Sequence, residues 1–563
     1  MSLTRHAGER TYNPTSLLWV CILACAVQNL DANLVSIIYP QFSAAFAGSA
    51  KGGQAVLDLA ASIFPLALAA VILGAGRLGD LHGRKRMLYV GLIIEMAALL
   101  GAVVAPSPAV MVLVRLVGGA GAALVSVLTL AIVNAGIADP KRRARAITTF
   151  VMMLGLGPVL LPILVQLINE TGTSAWRYTF FVPFLMGAAS LALLPRFVPE
   201  SRSEGSSRMD WLGTGLAALG LFTLILGVSR ATLPGGFASP GCWGPILVGV
   251  VTLAALALRS RGREEAVLPM DLFAKPLFAG GVFLAVVMYT SYVGFTFQLN
   301  NYLQQVRHIA PLNAVLWVAP VGIGFIVAGL LETPLERRAG RRPVMAGGLA
   351  LTALAIVAAT LVLDARTPYA AMIAPMIAAG GGFLLANASR TNAVLSVAPP
   401  ARSGTASGTT NAANNVGIGF GVAISNVILS SRLVPQLRGA LERAGVAEAK
   451  VSHVLAVLKA QLASLGHDHQ IVSESGLSLH EILKLDALGV SAYLGALHVT
   501  LLVLAGILAA GILIVAFVMR PSPSAGAPAV AGGVGAGGVA AAGAAHEAGA
   551  AAADAPETAG TDA

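Results

Sequence analysis

The sequence predicts an all-α protein that crosses a membrane many times, and three observations carry that prediction. Of 563 residues, 56% are hydrophobic and only 11% are charged, under half the roughly 25% of an ordinary soluble chain. Apolar runs of bilayer-crossing length recur along the chain between short polar loops. Lys and Arg gather in every second loop, as they do on one face of a polytopic protein. Together these exclude a soluble multidomain enzyme, a secreted disulfide scaffold and a disordered polymer. A β-barrel would instead alternate over segments of about ten residues.

Taken in order, the predicted spans are 16–40, 54–76, 87–105, 109–135, 146–169, 178–195, 210–229, 243–258, 277–299, 312–332, 343–364, 369–396, 405–430 and 490–519, fourteen in all. With an even number of spans, both termini fall on one side. Arg77, Arg84, Lys85, Arg86, Lys141, Arg142, Arg143, Arg145, Arg259, Arg261, Arg263, Arg337, Arg338, Arg341 and Arg342 share that side, whereas the opposite short loops hold only Lys51, Arg177, Arg230, Arg307 and Arg366. The bias places both termini in the cytoplasm of a multi-pass inner (plasma) membrane protein. It also explains the net charge of +10 without nucleic acid.

Two segments stand outside the spans. Residues 431–489 read as an outer loop with one or two amphipathic helices around Val451, Val454, Leu455 and Leu458, which offers a surface for a periplasmic adaptor. His453, His467, His469 and His480 lie there, but His467-Asp468-His469 lacks a supporting metal-ligand set. Residues 521–563, rich in Ala and Gly, read as a disordered tail. Three cysteines give no disulfide framework: Cys21 and Cys25 fall in an apolar run as packing residues, and Cys242 sits in a loop. The first apolar stretch is too long for a cleavable signal and carries Asp31 in its interior.

The loop after the second span reads Gly76-Arg77-Leu78-Gly79-Asp80-Leu81-His82-Gly83-Arg84-Lys85-Arg86. Its glycines let two helix ends turn within a few residues. Asp80 can approach the partially positive N-terminus of a neighbouring helix, and the basic cluster suits an anionic leaflet. A degraded copy, Glu336 followed by Gly340-Arg341-Arg342-Pro343, follows span 312–332. The spacing and place of this loop resemble the signature of the major facilitator superfamily, and the two copies match that family's internal repeat.

Further segments resemble the same family. The fourth span opens Leu113-Val114-Arg115-Leu116-Val117-Gly118-Gly119-Ala120-Gly121-Ala122, an intramembrane Arg before a small-residue stripe that permits close helix packing. Leu30-Asp31-Ala32-Asn33-Leu34-Val35 resembles the first-helix motif of the fourteen-helix drug:proton antiporter branch. Trp176-Arg177-Tyr178-Thr179-Phe180-Phe181-Val182-Pro183 is similar to the entry into the sixth span, and residues 404–417 to the penultimate one. The fifth span departs from the exporter pattern G-x-x-x-G-P-x-x-G-G. Gly157-Pro158 is present, but Met153, Leu161 and Pro162 replace three glycines, and two prolines four apart predict a kinked helix.

At 1.5 Å per residue, Asp31 lies roughly 14 Å and Arg115 roughly 9 Å below the outer ends of their spans. The two charges therefore share a depth and form either a proton relay or a static pair that fixes packing. Glu95, inside the third span, is a second protonatable group or bonds a neighbour. Tyr289, Tyr292, Gln298, Asn387, Arg390, Asn411 and Asn415 line a substrate cavity or act as interhelical glue.

The resemblance implies two six-helix bundles, 1–209 and 277–520, with an inserted pair and linker, 210–276, between them. It implies secondary active transport by alternating access: proton-coupled efflux of an amphipathic or cationic small molecule, with Gly76, Asp80, Gly83, Arg84 and Lys85 as the gating loop. Without a phosphate-binding loop the energy comes from the proton gradient and no cofactor is needed. No nucleophile–base constellation marks an enzyme. A facilitator of another cargo or direction (siderophore, metabolite or sugar) and a transport-inactive sensor are the alternatives.

Overall fold

The computed structural model describes residues 13–46, 53–169, 175–201, 209–230, 240–263, 266–309, 311–399, 402–443 and 479–517. Among them there are helices and turns and no strand. In chain order the helices are α1 (Pro14–Phe46), α2 (Gly53–His82), α3 (Arg84–Val104), α4 (Pro108–Gly136), α5 (Pro140–Asn169), α6 (Phe181–Phe197), α7 (Trp211–Arg230) and α8 (Pro240–Ser260). They continue with α9 (Met270–Phe273), α10 (Pro276–Gln305), α11 (Pro311–Val318), α12 (Pro320–Ala339), α13 (Arg341–Val362), α14 (Tyr369–Ser396), α15 (Ser403–Arg443) and α16 (Leu479–Phe517). Thirteen stretches among the described residues are long and apolar enough to cross a membrane; the predicted span 146–169 falls in α5, which is not among them.

Local chemistry sets the helix ends. Ser107 caps α4 by accepting from the Val110 N–H at 3.4 Å, with Pro108 at the first helical position. Asp139 accepts from the Lys141 and Arg142 amides at the start of α5, and Asp210 from the Gly213 amide at the start of α7. Gly83 and Gly340, which open α3 and α13 in the two related loops, adopt φ of 98° and 85°, a region that a side chain would strain.

α1 to α6 pack on one another, as do α10 and α12 to α16. α4 lies deepest, with 83% of its span window buried, whereas α8 has 17% and turns Leu247, Val250, Val251 and Leu258 outward. The pair α7–α8 is tied together by Arg259 to Asp210 at 3.1 Å and by the Cys242 thiol donating to the Gly227 carbonyl at 3.1 Å. Cys242 therefore lies in the first turn of α8 rather than in a loop, because the helix begins at Pro240.

Three other expectations are corrected. Span 312–332 is two helices, α11 and α12, that meet at Ala319, since Pro320 has no N–H to continue the ladder. α5 is one helix from Pro140 to Asn169 that carries both prolines, a tolerance that neighbouring helices provide in membrane bundles. Span 405–430 extends to Arg443, and the last span, which begins at Leu488 close to the expected 490, lies in a helix that starts earlier, at Leu479. At 41 residues α15 is about 60 Å long, twice a bilayer's hydrocarbon thickness. The expected loop 431–489 is thus helical at both ends, where Leu433, Leu437 and Leu441 join the core that also holds Tyr493 and Leu497. Residues 444–478, with His453, His467 and His469, and the tail 521–563 lie outside the described residues.

Candidate functional site

Asp31 of α1 and Arg115 of α4 meet. One Arg115 Nη donates to the Asp31 carboxylate and the other to the Asp31 backbone carbonyl at 2.8 Å, and the guanidinium carbon stands 4.1 Å from the centre of the Phe64 ring on α2. Both side chains are almost wholly buried. Charge in hydrocarbon is costly, and a close pair with an aromatic face over the cation offsets part of that cost. Glu95 of α3 is also fully buried, and neither of its carboxyl oxygens has a hydrogen-bond partner. Among the described residues, Asp31 and Arg115 thus carry each other, while Glu95 is left with two unused oxygens.

The second site lies at the end of the molecule where the basic loops gather. Asp80 accepts from Arg84 Nε at 3.0 Å and Nη2 at 2.7 Å within its own loop. It also accepts from the Gly404 amide at 3.2 Å, the Thr405 amide at 3.0 Å and the Thr405 hydroxyl at 3.0 Å, at the first turn of α15. One carboxylate therefore neutralises a buried guanidinium and satisfies amides that the start of a helix leaves unpaired. The approach requires small residues: a Cβ on Gly76 would stand 2.3 Å from the Gly404 carbonyl oxygen, and backbone cannot yield. Behind the loop, Glu200 accepts from the Lys85 amide at 3.0 Å and the Arg86 amide at 3.2 Å, capping α3, and Lys85 Nζ donates to the Pro195 carbonyl at 3.3 Å.

The third group spans α10, α14 and α15. Arg390, fully buried, donates to the Gly281 carbonyl at 3.3 Å, to Asn387 Oδ1 at 2.8 Å, to Thr391 Oγ1 at 3.3 Å and to Asn414 Oδ1 at 3.1 Å. Asn387 donates to the Tyr289 hydroxyl at 3.2 Å. Tyr292 stacks on Phe383 with ring centres 4.0 Å apart. Asn411 donates to the Ser407 carbonyl, accepts from Ser126 of α4 at 3.5 Å, and in turn accepts through its carbonyl from Asn415. Gln298 stands apart from this group: it is fully buried and donates to Ser425 at 3.1 Å and Asn426 at 3.0 Å, joining α10 to α15.

Comparison with known proteins shows the family. The family model described as Major Facilitator Superfamily matches residues 21–422, which is most of the chain. The chain belongs to the Major Facilitator Superfamily. It is similar to multidrug resistance protein Stp of Mycobacterium tuberculosis (strain ATCC 25618 / H37Rv), with 28% identity over 427 residues, covering 76% of this chain and 78% of that protein. It is also similar to drug efflux pump JefA of the same organism, with 27% identity over 409 residues, covering 72% and 78%. Among solved structures, the proton:xylose symporter XylE bound to 6-bromo-6-deoxy-D-glucose superposes with a TM-score of 0.54 at 16% identity, covering 80% of this chain and 94% of that one. That likeness concerns the fold alone.

As a member of the Major Facilitator Superfamily the chain is a multi-pass membrane transporter, and one cluster in it escaped the sequence reading. Glu332 of α12, Thr148 of α5 and Asn392 of α14 converge where the two groups of helices meet. Thr148 Oγ1 donates to Glu332 Oε2 at 2.9 Å, Thr333 Oγ1 to the same oxygen at 3.1 Å, and Asn392 Nδ2 to Oε1 at 3.3 Å. A signal for it does exist. Arg145-Ala146-Ile147-Thr148 and Arg402-Ser403-Gly404-Thr405 repeat one spacing near the starts of α5 and α15, and each threonine hydroxyl serves a carboxylate of the opposite helix group.

Proposed function

We propose that this transporter exports amphipathic or cationic small molecules from the cytoplasm in exchange for protons, by alternating access. The observation that carries the reading is the buried Asp31–Arg115 pair beside a buried Glu95 whose two oxygens have no partner. A proton arriving on Asp31 weakens its hold on Arg115, and that difference in binding biases the equilibrium between outward- and inward-facing states. Relatives named as a multidrug resistance protein and a drug efflux pump support the direction and the breadth of cargo.

In this reading the protein sits in the plasma membrane with both termini in the cytoplasm, as the placement of its Lys and Arg residues favours. The bundles 1–209 and 277–520 rock about a cargo site near the midplane, with 210–276 beside them. The Asp80–Arg84 loop on the start of α15 acts as the inner latch. The proton gradient is the energy source.

Proteoliposomes test the reading. With an imposed pH gradient driving a cationic dye, the wild type is expected to move dye with proton counter-movement, and Asp31→Asn to lose the coupling. If the wild type shows no proton-linked flux across a varied set of substrates, the family and fold stand and the export reading falls.

A further inference from the structure

The surroundings of Arg390 carry an inference that rests on the export reading and narrows its cargo. Two buried arginines have carboxylate partners: Arg84 has Asp80 and Arg115 has Asp31. Arg390 is as deeply buried, yet among the described residues no Asp or Glu lies within ion-pair distance of it. Its four acceptors are a backbone carbonyl, two amide oxygens and a hydroxyl, all neutral, and its Nε–H has no acceptor. Neutral dipoles position a guanidinium but do not cancel its charge, and a buried cation without an anion is costly. The fork of N–H groups is also the geometry that takes a carboxylate through two parallel bonds.

What stands beside the cation indicates the rest of the ligand. Asn387 links Arg390 to the Tyr289 hydroxyl, and Tyr289 lies edge-on to Phe383 at 5.1 Å, on which Tyr292 stacks. Tyr289 and Asn414 are partly exposed, whereas Arg390 behind them is not. An aromatic body can rest against the partly exposed Tyr289, which the buried Phe383 and Tyr292 back, while an acidic group displaces Asn414 from the guanidinium.

We propose that Arg390, flanked by Asn387, Asn414 and Tyr289, is the docking site for an acidic group, a carboxylate or sulfonate, on an amphipathic aromatic cargo. Purely cationic molecules are then poor ligands on this side of the molecule, because Arg390 repels them.

Binding to the full-length protein in nanodiscs, with no gradient, tests this through matched pairs: norfloxacin, 2-naphthoic acid and benzylpenicillin, each against its methyl ester. Esterification removes the negative charge and leaves the ring system. The wild type is expected to bind the acids about tenfold more tightly than the esters, equivalent to about 1.4 kcal/mol. Arg390→Gln is expected to abolish the preference, and Arg390→Lys to keep part of it. The proposal is overturned if no acid outbinds its ester in the wild type, or if Arg390→Gln retains the preference. The wild-type comparison decides the matter even if Arg390→Gln does not fold. A protein that prefers acids but shows no proton-linked flux loses the export reading and keeps this one; proton-linked dye flux without acid preference has the reverse consequence.

Discussion

Two of the crossings between the two groups of helices near the basic end, α2 on α15 and α5 on α12, solve one problem differently. At the first, Asp80 is held by a guanidinium as well as by the start of a helix, and Gly76 and Gly404 bring backbone against backbone. At the second, Glu332 is held by two hydroxyls and an amide, with no cation paired to it among the described residues, and the glycine there, Gly329, faces the thioether of Met152. The first crossing is therefore stiff and charged. The second is padded by an adaptable side chain and held by neutral donors. On the proposed alternating-access reading, one contact locks and one yields, and the contrast assigns the first role to α2 on α15 and the second to α5 on α12.

Asp80→Asn should break this contrast most severely. It leaves Arg84 buried without its anion, and removal of one partner of a buried pair costs about 3–5 kcal/mol. A marked fall in the thermal unfolding midpoint in detergent is expected, together with labelling at an introduced Ser407→Cys, a site buried just past the crossing. An unchanged midpoint would show that the pair contributes nothing to closure.

Gly76→Leu should come next, at about 1–3 kcal/mol from forced separation of two backbones, with dye flux lost. Thr148→Ala should follow: it takes the strongest donor from Glu332 and costs about 1–2 kcal/mol, read as the same labelling at lower yield. The smallest effects belong to the padded crossing. Gly329→Ala should cost under about 1 kcal/mol, because the Met152 thioether can move aside, and Glu332→Gln should be similarly mild because the donors that hold it are neutral. If Gly329→Ala proves as harmful as Gly76→Leu, the two crossings are equivalent and the contrast fails.

Much of this site is visible in the chain because charge inside an apolar run stands out. Asp31, Glu95 and Arg115 are conspicuous on that ground alone, and the Asp80 loop is conspicuous through its glycines and arginines. Asp80 as a donor-seeking carboxylate at a helix start follows from the dipole; that the helix is α15 does not. Glu332 sits in a similar apolar run, yet its partners are 184 and 60 positions away on α5 and α14. Hydropathy has no memory over such distances. The same limit hid the break at Ala319 and the length of α15, where turn chemistry and packing, rather than apolarity, decide where a helix ends.

The sequence by itself determined the membrane class, the position of most of the crossing helices, the related loops of an internal repeat and the short list of expensive charges. Each of these is a local property: the hydrophobicity of twenty consecutive residues, or the cost of one ion in hydrocarbon. Only the tertiary structure decided who answers each charge. Arg115 found Asp31, Arg84 found Asp80, Glu332 found two hydroxyls and an amide, and Arg390 found no anion among the described residues. Pairing depends on which helix faces meet, and that is set by small residues and side-chain shape summed over helices far apart in the chain.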